Sequence, residues 1–169
     1  MWVVIGSGWN VIAGYTGQVS FGDAAFFGSG AYTAGLLANK LGISAWWGMA
    51  FGGVAAMAVA FPFGWICFRL RGAYFALASL ALNEVMRHIA TVWESLTQGM
   101  VGILIMPSFV SKIPYYYISL ALAVLSVGTV QIVMRYKWGY YFLSIRENQD
   151  AAESLGIDTH HYKMVSLNI

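Results

Sequence analysis

Charged side chains are scarce: Asp, Glu, Lys and Arg supply 9% of the 169 residues, against roughly a quarter in ordinary soluble domains. With 59% apolar residues and a mean hydropathy of +0.66, this excludes a water-soluble globule, because so short a chain cannot enclose that much apolar area. Membrane lipid is therefore the first partner implied. A net charge of +2 is too small to indicate nucleic acid, and none is expected. Cysteine is nearly absent; the single Cys67 excludes an internal disulfide and builds no metal site with the three histidines. Residues 1–13, interrupted by Gly6 and Gly8, lack the basic start and cleavage pattern of a signal peptide. Also missing are a Gly-rich phosphate loop ending in Gly-Lys-Ser/Thr, a His-Glu-x-x-His helix, a Cys pair and a Gly-x-Ser-x-Gly turn. No catalytic residue, cofactor or metal is expected, so the chain is not an enzyme and its energy comes from a partner or an ion gradient.

What is present is hydrophobic length. Runs of about 20 residues, enough to cross a bilayer as helix, occupy 45–68, 72–92 and 115–134. A glycine- and alanine-rich run at 21–38 and a partial one at 1–13 are separated by residues 14–18. The expected fold is all-α: a polytopic transmembrane helix bundle forming one permease-like domain over 1–169. Residues 1–13 read as a cut-in end and 164–169 as an apolar run too short to span, so a fragment of a larger subunit is expected.

Lys and Arg orient the set. Arg69, Arg71, Arg135, Lys137, Arg146 and Lys163 fall on one side, expected to be cytoplasmic, with Lys40 and Lys112 on the other. Aromatic belts agree: Trp46, Trp47 and Tyr115 to Tyr117 outside, Tyr136, Trp138, Tyr140 and Tyr141 inside. Pro114 suits a helix start, whereas Pro62 inside a span should kink it. Gly48, Gly52, Ala56, Ala60 and Gly64 recur every fourth residue, making a flat helix face for close packing. Ala24 with Gly28 and Ala31 with Gly35 repeat the spacing.

Residues 135–163 carry much of the charge and read as a cytoplasmic loop. Within it Asp150 is placed to cap a short helix, Glu153 follows three residues later as in a capping box, and Gly156 is placed to end it. The stretch Glu147-Asn-Gln-Asp-Ala-Ala-Glu-Ser-Leu-Gly156-Ile157 resembles the coupling loop of bacterial ABC importer permeases, with Asp150, Ala151, Ala152 and Gly156 matching its acidic residue, alanines and glycine. Three further stretches, Gly14-Tyr-Thr-Gly-Gln-Val-Ser-Phe-Gly-Asp-Ala-Ala-Phe-Phe-Gly-Ser-Gly-Ala-Tyr32, Arg69-Leu-Arg-Gly-Ala-Tyr74 and Leu96-Thr-Gln-Gly-Met-Val-Gly-Ile103, resemble the M-type permease subunits of the Liv branched-chain amino-acid importers. Arg146-Glu-Asn through Tyr162-Lys163 continues the match.

The resemblance implies a passive transmembrane subunit of the bacterial inner membrane, working by alternating access with ABC ATPase subunits, a second homologous permease subunit and a periplasmic or lipid-anchored substrate-binding protein. Arg146, Glu147, Asp150, Ala151, Ala152, Glu153 and Gly156 would then form the ATPase-coupling helix and its flanks. Asp23, Gln98, Met100 and Val101 depart from the usual pattern, which leaves urea or short amides open as alternative cargo.

Polar residues at membrane depth are costly and mark candidate paths. Glu84, Arg87 and His88 share one helix face, as a structural ion pair or as part of a translocation path that would also include Gln18 and Asp23. The glycine-rich stretch 14–35 reads either as a broken helix lining a cavity or as simple close packing. An ion-coupled secondary transporter using Asp23, Glu84 and His88, and a non-transporting membrane scaffold, are the competing classes.

Overall fold

The computed structural model describes residues 1–42, 45–99, 102–103 and 112–169. Met100, Val101 and the Trp46 side chain lie outside the described residues. Helices α1 (Trp2–Trp9), α2 (Asp23–Leu41), α3 (Ala45–Cys67), α4 (Ala73–Val92), α5 (Glu94–Thr97), α6 (Ile113–Arg135), α7 (Lys137–Glu147), α8 (Gln149–Ser154) and α9 (Thr159–Asn168) follow in order, with a π-helical turn, Asn10–Tyr15, extending α1. No strand occurs among the described residues.

Among the described residues two helices are long and apolar enough to cross a membrane, Trp47–Cys67 and Ile113–Arg135. Pro114 sits in the first turn of α6, where a missing N–H costs nothing, and α3 is helical on both sides of Pro62. Helix α4 reaches spanning length at 20 residues, but Asn83, Glu84, Arg87 and His88 dilute its apolar character. Such a helix needs protein or water beside its polar face.

The small-residue stripe of α3 packs antiparallel on α2, the most extensive helix pair in the molecule. A Cβ on Gly52 would lie 2.6 Å from the Gly30 carbonyl oxygen, one on Gly30 would lie 3.0 Å from the Gly52 oxygen, and one on Gly48 would lie 3.3 Å from the Ala34 oxygen. The backbones thus touch directly, as small-xxx-small faces permit. On α2 the matching face is Gly30 and Ala34, not the Ala24–Gly28 pair, since a Cβ on Gly28 would meet nothing within 4 Å. Ala60 is buried, and Gly64 faces α9 instead, where a Cβ would lie 2.7 Å from the Met164 sulfur. The α3 stripe therefore serves two partners in succession.

Burial concentrates around the π-helical turn. Ile12 joins Phe63, Cys67, Phe68, Phe75 and Met164 in one cluster, while its neighbour Val11 joins Val133 and Phe142 in another. Phe68 stacks on Phe75 with ring centroids 5.1 Å apart, and Phe26 meets Phe63 edge-on at 5.9 Å. These contacts gather the end of α3, the start of α4, and α7 and α9 at one end of the bundle, the end that carries Arg69, Arg71, Arg146 and Lys163. Elsewhere α3 and α6 turn large apolar groups outward, Trp47, Val54, Phe61, Val124 and Leu125 all being more than half exposed.

Candidate functional site

The chain leaves helical geometry between Tyr15 and Asp23, so several backbone groups lose their regular partners. Gly14 has no side chain at a point where one would collide with the Asn10 side chain, and Gly17 takes φ +75°, a region open to glycine. At the break the freed backbone groups are bonded by the preceding π-helical turn and by side chains of neighbouring helices. The Thr16 N–H and hydroxyl both donate to the Val11 carbonyl, at 3.2 and 3.0 Å, and the Gln18 N–H donates to the Ile12 carbonyl at 3.0 Å. The Trp9 indole N–H donates to the Ser20 carbonyl at 2.9 Å.

Helix α4 holds the far end of the break. The Phe21 N–H donates to the Ser79 hydroxyl at 2.9 Å, the Ala25 N–H donates to Asn83 Oδ1 at 2.8 Å, and Asn83 Nδ2 donates to the Phe21 carbonyl. Helix α7 holds the near end, where Arg146 Nη1 donates to the Gly14 carbonyl at 3.1 Å. Thr16, Ser20 and Ser79 are fully buried. Gln18 is 9% exposed, and its Oε1 finds no hydrogen-bond partner among the described residues, a state that typically costs about 1–3 kcal/mol.

Of the path candidates, Glu84 and Arg87 form an ion pair one helical turn apart, with nitrogen–oxygen distances of 2.8 and 2.9 Å. The His88 carbonyl accepts from the Thr91 hydroxyl at 3.0 Å. A cavity of about 460 Å³ opens between α2, α4 and α5, with Gly28, Tyr32, Asn83, Arg87 and Thr97 in its wall. Arg87 alone among the path candidates lines it; Gln18, Asp23, Glu84 and His88 do not. Sequence reasoning missed Ser79 and Asn83, although two polar residues one turn apart on a largely apolar helix are themselves a signal of paired polar groups.

The 136–168 segment is a second polar assembly. The cap of α8 is Asn148, whose Oδ1 accepts from the Ala151 N–H at 3.1 Å. Asp150 does not fill that role, because only Asn148 has the extended backbone of a cap residue, at φ −158° and ψ 108°. Asp150 instead accepts from Arg71 Nη1 at 2.7 Å, which ties α8 to the loop between α3 and α4. Gly156 ends α8 as expected: at φ +82° its N–H donates to the Glu153 carbonyl at 2.9 Å while the Ile157 N–H donates to the Ala152 carbonyl at 3.1 Å, a Schellman closure. Ala152 is buried at 2% exposure whereas Ala151 faces outward.

Glu153 is not the reciprocal half of a capping box. Its Oε1 accepts from the Thr159 hydroxyl at 2.5 Å and from Gln149 Nε2 at 2.9 Å, and these bonds, Thr159 first, lower its pKa. Lys163, wholly buried, donates to Gln149 Oε1 at 2.7 Å. Burial lowers its pKa to about 8; Arg71 pushes the same way and Glu153 opposes. Arg146 pairs with Glu147 at 2.8 Å in addition to its Gly14 contact. Arg71 was legible in the sequence as an orienting charge and as part of the Arg69–Tyr74 stretch, and its docking of α8 emerges from the fold.

The family described as "Branched-chain amino acid transport system / permease component" matches residues 1–169. The chain is 27% identical to the high-affinity branched-chain amino acid transport system permease protein LivM of Escherichia coli (strain K12), and 26% identical to LivM of Salmonella typhimurium (strain LT2). Both alignments extend over 206 positions and cover 100% of this chain and 47% of the relative. The chain thus spans about half the length of the curated relatives it matches. No solved structure matches it. With apolar helices packed through small residues, a helix broken at glycine and a family match along every residue, this membrane protein belongs to the permease components of branched-chain amino acid transport systems.

Proposed function

We propose that the chain is the transmembrane part of an ATP-binding-cassette importer of the bacterial inner membrane, moving branched-chain amino acids by alternating access. Residues 135–163 form its cytoplasmic coupling loop, and α8 is the helix that seats in a partner ATPase. A second homologous permease subunit and a periplasmic or lipid-anchored binding protein complete the assembly. The observation that carries this reading is the build of α8: a six-residue helix, stopped at both ends and bonded through Asp150 to Arg71. Motion applied to such a helix passes to α3 and α4 rather than being lost in a soft loop. Ala151, Asp150 and Glu147 point outward and supply the seating face, whereas Ala152 packs inward. In this reading the 460 Å³ cavity beside Arg87, large enough for an aliphatic amino acid, lies on the path, with Gln18, Asp23, Glu84 and His88 as its further polar residues.

The test is uptake of labelled leucine into vesicles containing the full-length permease with its co-purifying partners. ATP-dependent uptake that disappears in Ala151→Arg, together with loss of a co-purifying ATPase, is expected. Uptake driven by a proton gradient without any ATPase would replace this reading with ion-coupled transport, and uptake of urea or a short amide instead of leucine would change the cargo.

A further inference from the structure

We propose that Arg146 is a positioning residue that acts inward, as the strut by which movement of α8 reaches the wall of the α2–α4 cavity; this rests on the importer reading above. Arg146 stands in the last turn of α7, two residues before Asn148, the cap of α8. Its guanidinium donates to the Gly14 carbonyl at 3.1 Å, and a Cβ on Gly17 would lie 2.7 Å from its Cγ and 3.3 Å from its Cα. The arginine therefore lies along the helix break with no space between them, and only glycine at 17 permits the contact.

The break is bonded at its other end as well. Phe21 and Ala25 are bonded to Ser79 and Asn83, and Asn83 and Ala25 both line the cavity. A continuous bonded route thus runs from α8 through Arg146, residues 14–22 and Asn83 to the cavity wall. Two features make residues 14–22 suited to a second arrangement. Their hydrogen bonds go mostly to side chains, which can exchange partners in a way that a helical ladder cannot, and the buried Gln18 Oε1 has no partner in the present one. Coupling between sites needs an element with two arrangements that both ends can bias, and the break is that element here.

The inward role separates cleanly from an ATPase-docking role. In vesicles containing the full-length permease and its partners, Arg146→Ala should keep the wild-type amount of co-purifying ATPase while uptake per ATP hydrolysed falls at least tenfold. Arg146→Lys, which can still donate to the Gly14 carbonyl, should recover at least a third of the coupling. Gly17→Ala, which displaces the arginine without removing it, should uncouple like Arg146→Ala. In the wild-type assembly, amide hydrogen exchange across residues 16–22 should change between nucleotide-free and ATP-bound states, a readout that needs no variant. Loss of ATPase from Arg146→Ala, unchanged uptake per ATP in it, or unchanged exchange across the break would overturn the strut. Absence of ATP-dependent uptake in the wild-type assembly would overturn the importer reading itself, and the strut with it.

Discussion

Helix α6 and the 136–168 segment are adjacent in the chain and opposite in construction. Among the described residues of α6 only Val133 is buried, and Val124 and Leu125 are each 65% exposed. The following segment buries Phe142, Ile145, Ala152, Thr159, Lys163, Met164 and Ser166 within three short helices. The first region is held by its solvent: hydrocarbon satisfies any apolar side chain, so composition suffices and individual identities matter little. The second is held by partner choice, in which each polar group needs one particular neighbour at one distance.

That contrast breaks most visibly at the paired alanines of α8. Ala152→Arg forces a cation into a site 2% exposed and is expected to cost about 3 kcal/mol or more, releasing 136–168 to limited proteolysis in detergent. The same charge at the outward Ala151 should leave the protease pattern unchanged. Equal sensitivity of the two would mean that α8 is not seated as described.

The next effect is pH-dependent. Lys163 titrates near 8 in the folded chain against 10.5 when unfolded, so the folded state holds fewer protons between those values. Below about pH 8 both states are protonated and the full cost of a buried ammonium applies; that cost shrinks as the pH rises toward 10.5. Thermal stability of the 136–168 region should therefore rise across this window in the wild type, and Lys163→Met should flatten the rise. A wild-type slope that survives in Lys163→Met would assign it to another group.

Smaller still is the helix cap. Asn148→Ala removes the acceptor for the Ala151 N–H and should cost about 1 kcal/mol. Leu125→Ala, at an exposed position of α6, should lie within about 0.5 kcal/mol of wild type by thermal unfolding in the same detergent. Reversal of that order would contradict the division between the two regions.

Legibility in the sequence followed the same division. The runs at 45–68 and 115–134 emerged as α3 and α6, because a long apolar stretch has one stable outcome in a bilayer. The Gly48–Gly64 stripe announced close packing, yet its partners on α2, Gly30 and Ala34, were not among the pairs read from the spacing, Ala24 with Gly28 and Ala31 with Gly35, since several four-residue repeats of small residues overlap on one glycine-rich helix. Gly156 was recognisable as a helix stop from its residue type. Residue type alone points to Asp150 as the cap, because Asp and Asn are both good caps and only the backbone turn at Asn148 decides between them.

Taken alone, the order of residues determined that the chain lives in a membrane, which stretches are helical, where glycine interrupts them, and which end of the bundle gathers the basic side chains. These follow from local properties, hydrophobic length and backbone freedom, that hold whatever the neighbours are. Tertiary structure decided that Arg71 meets Asp150 across 79 residues, that Arg146 reaches back 132 residues to Gly14, that Asn83 bonds the break, and that Ala152 rather than Ala151 turns inward. Each is a contact between segments distant in the chain, and its energy depends on distance and direction in space, which a one-dimensional pattern of residue types does not carry.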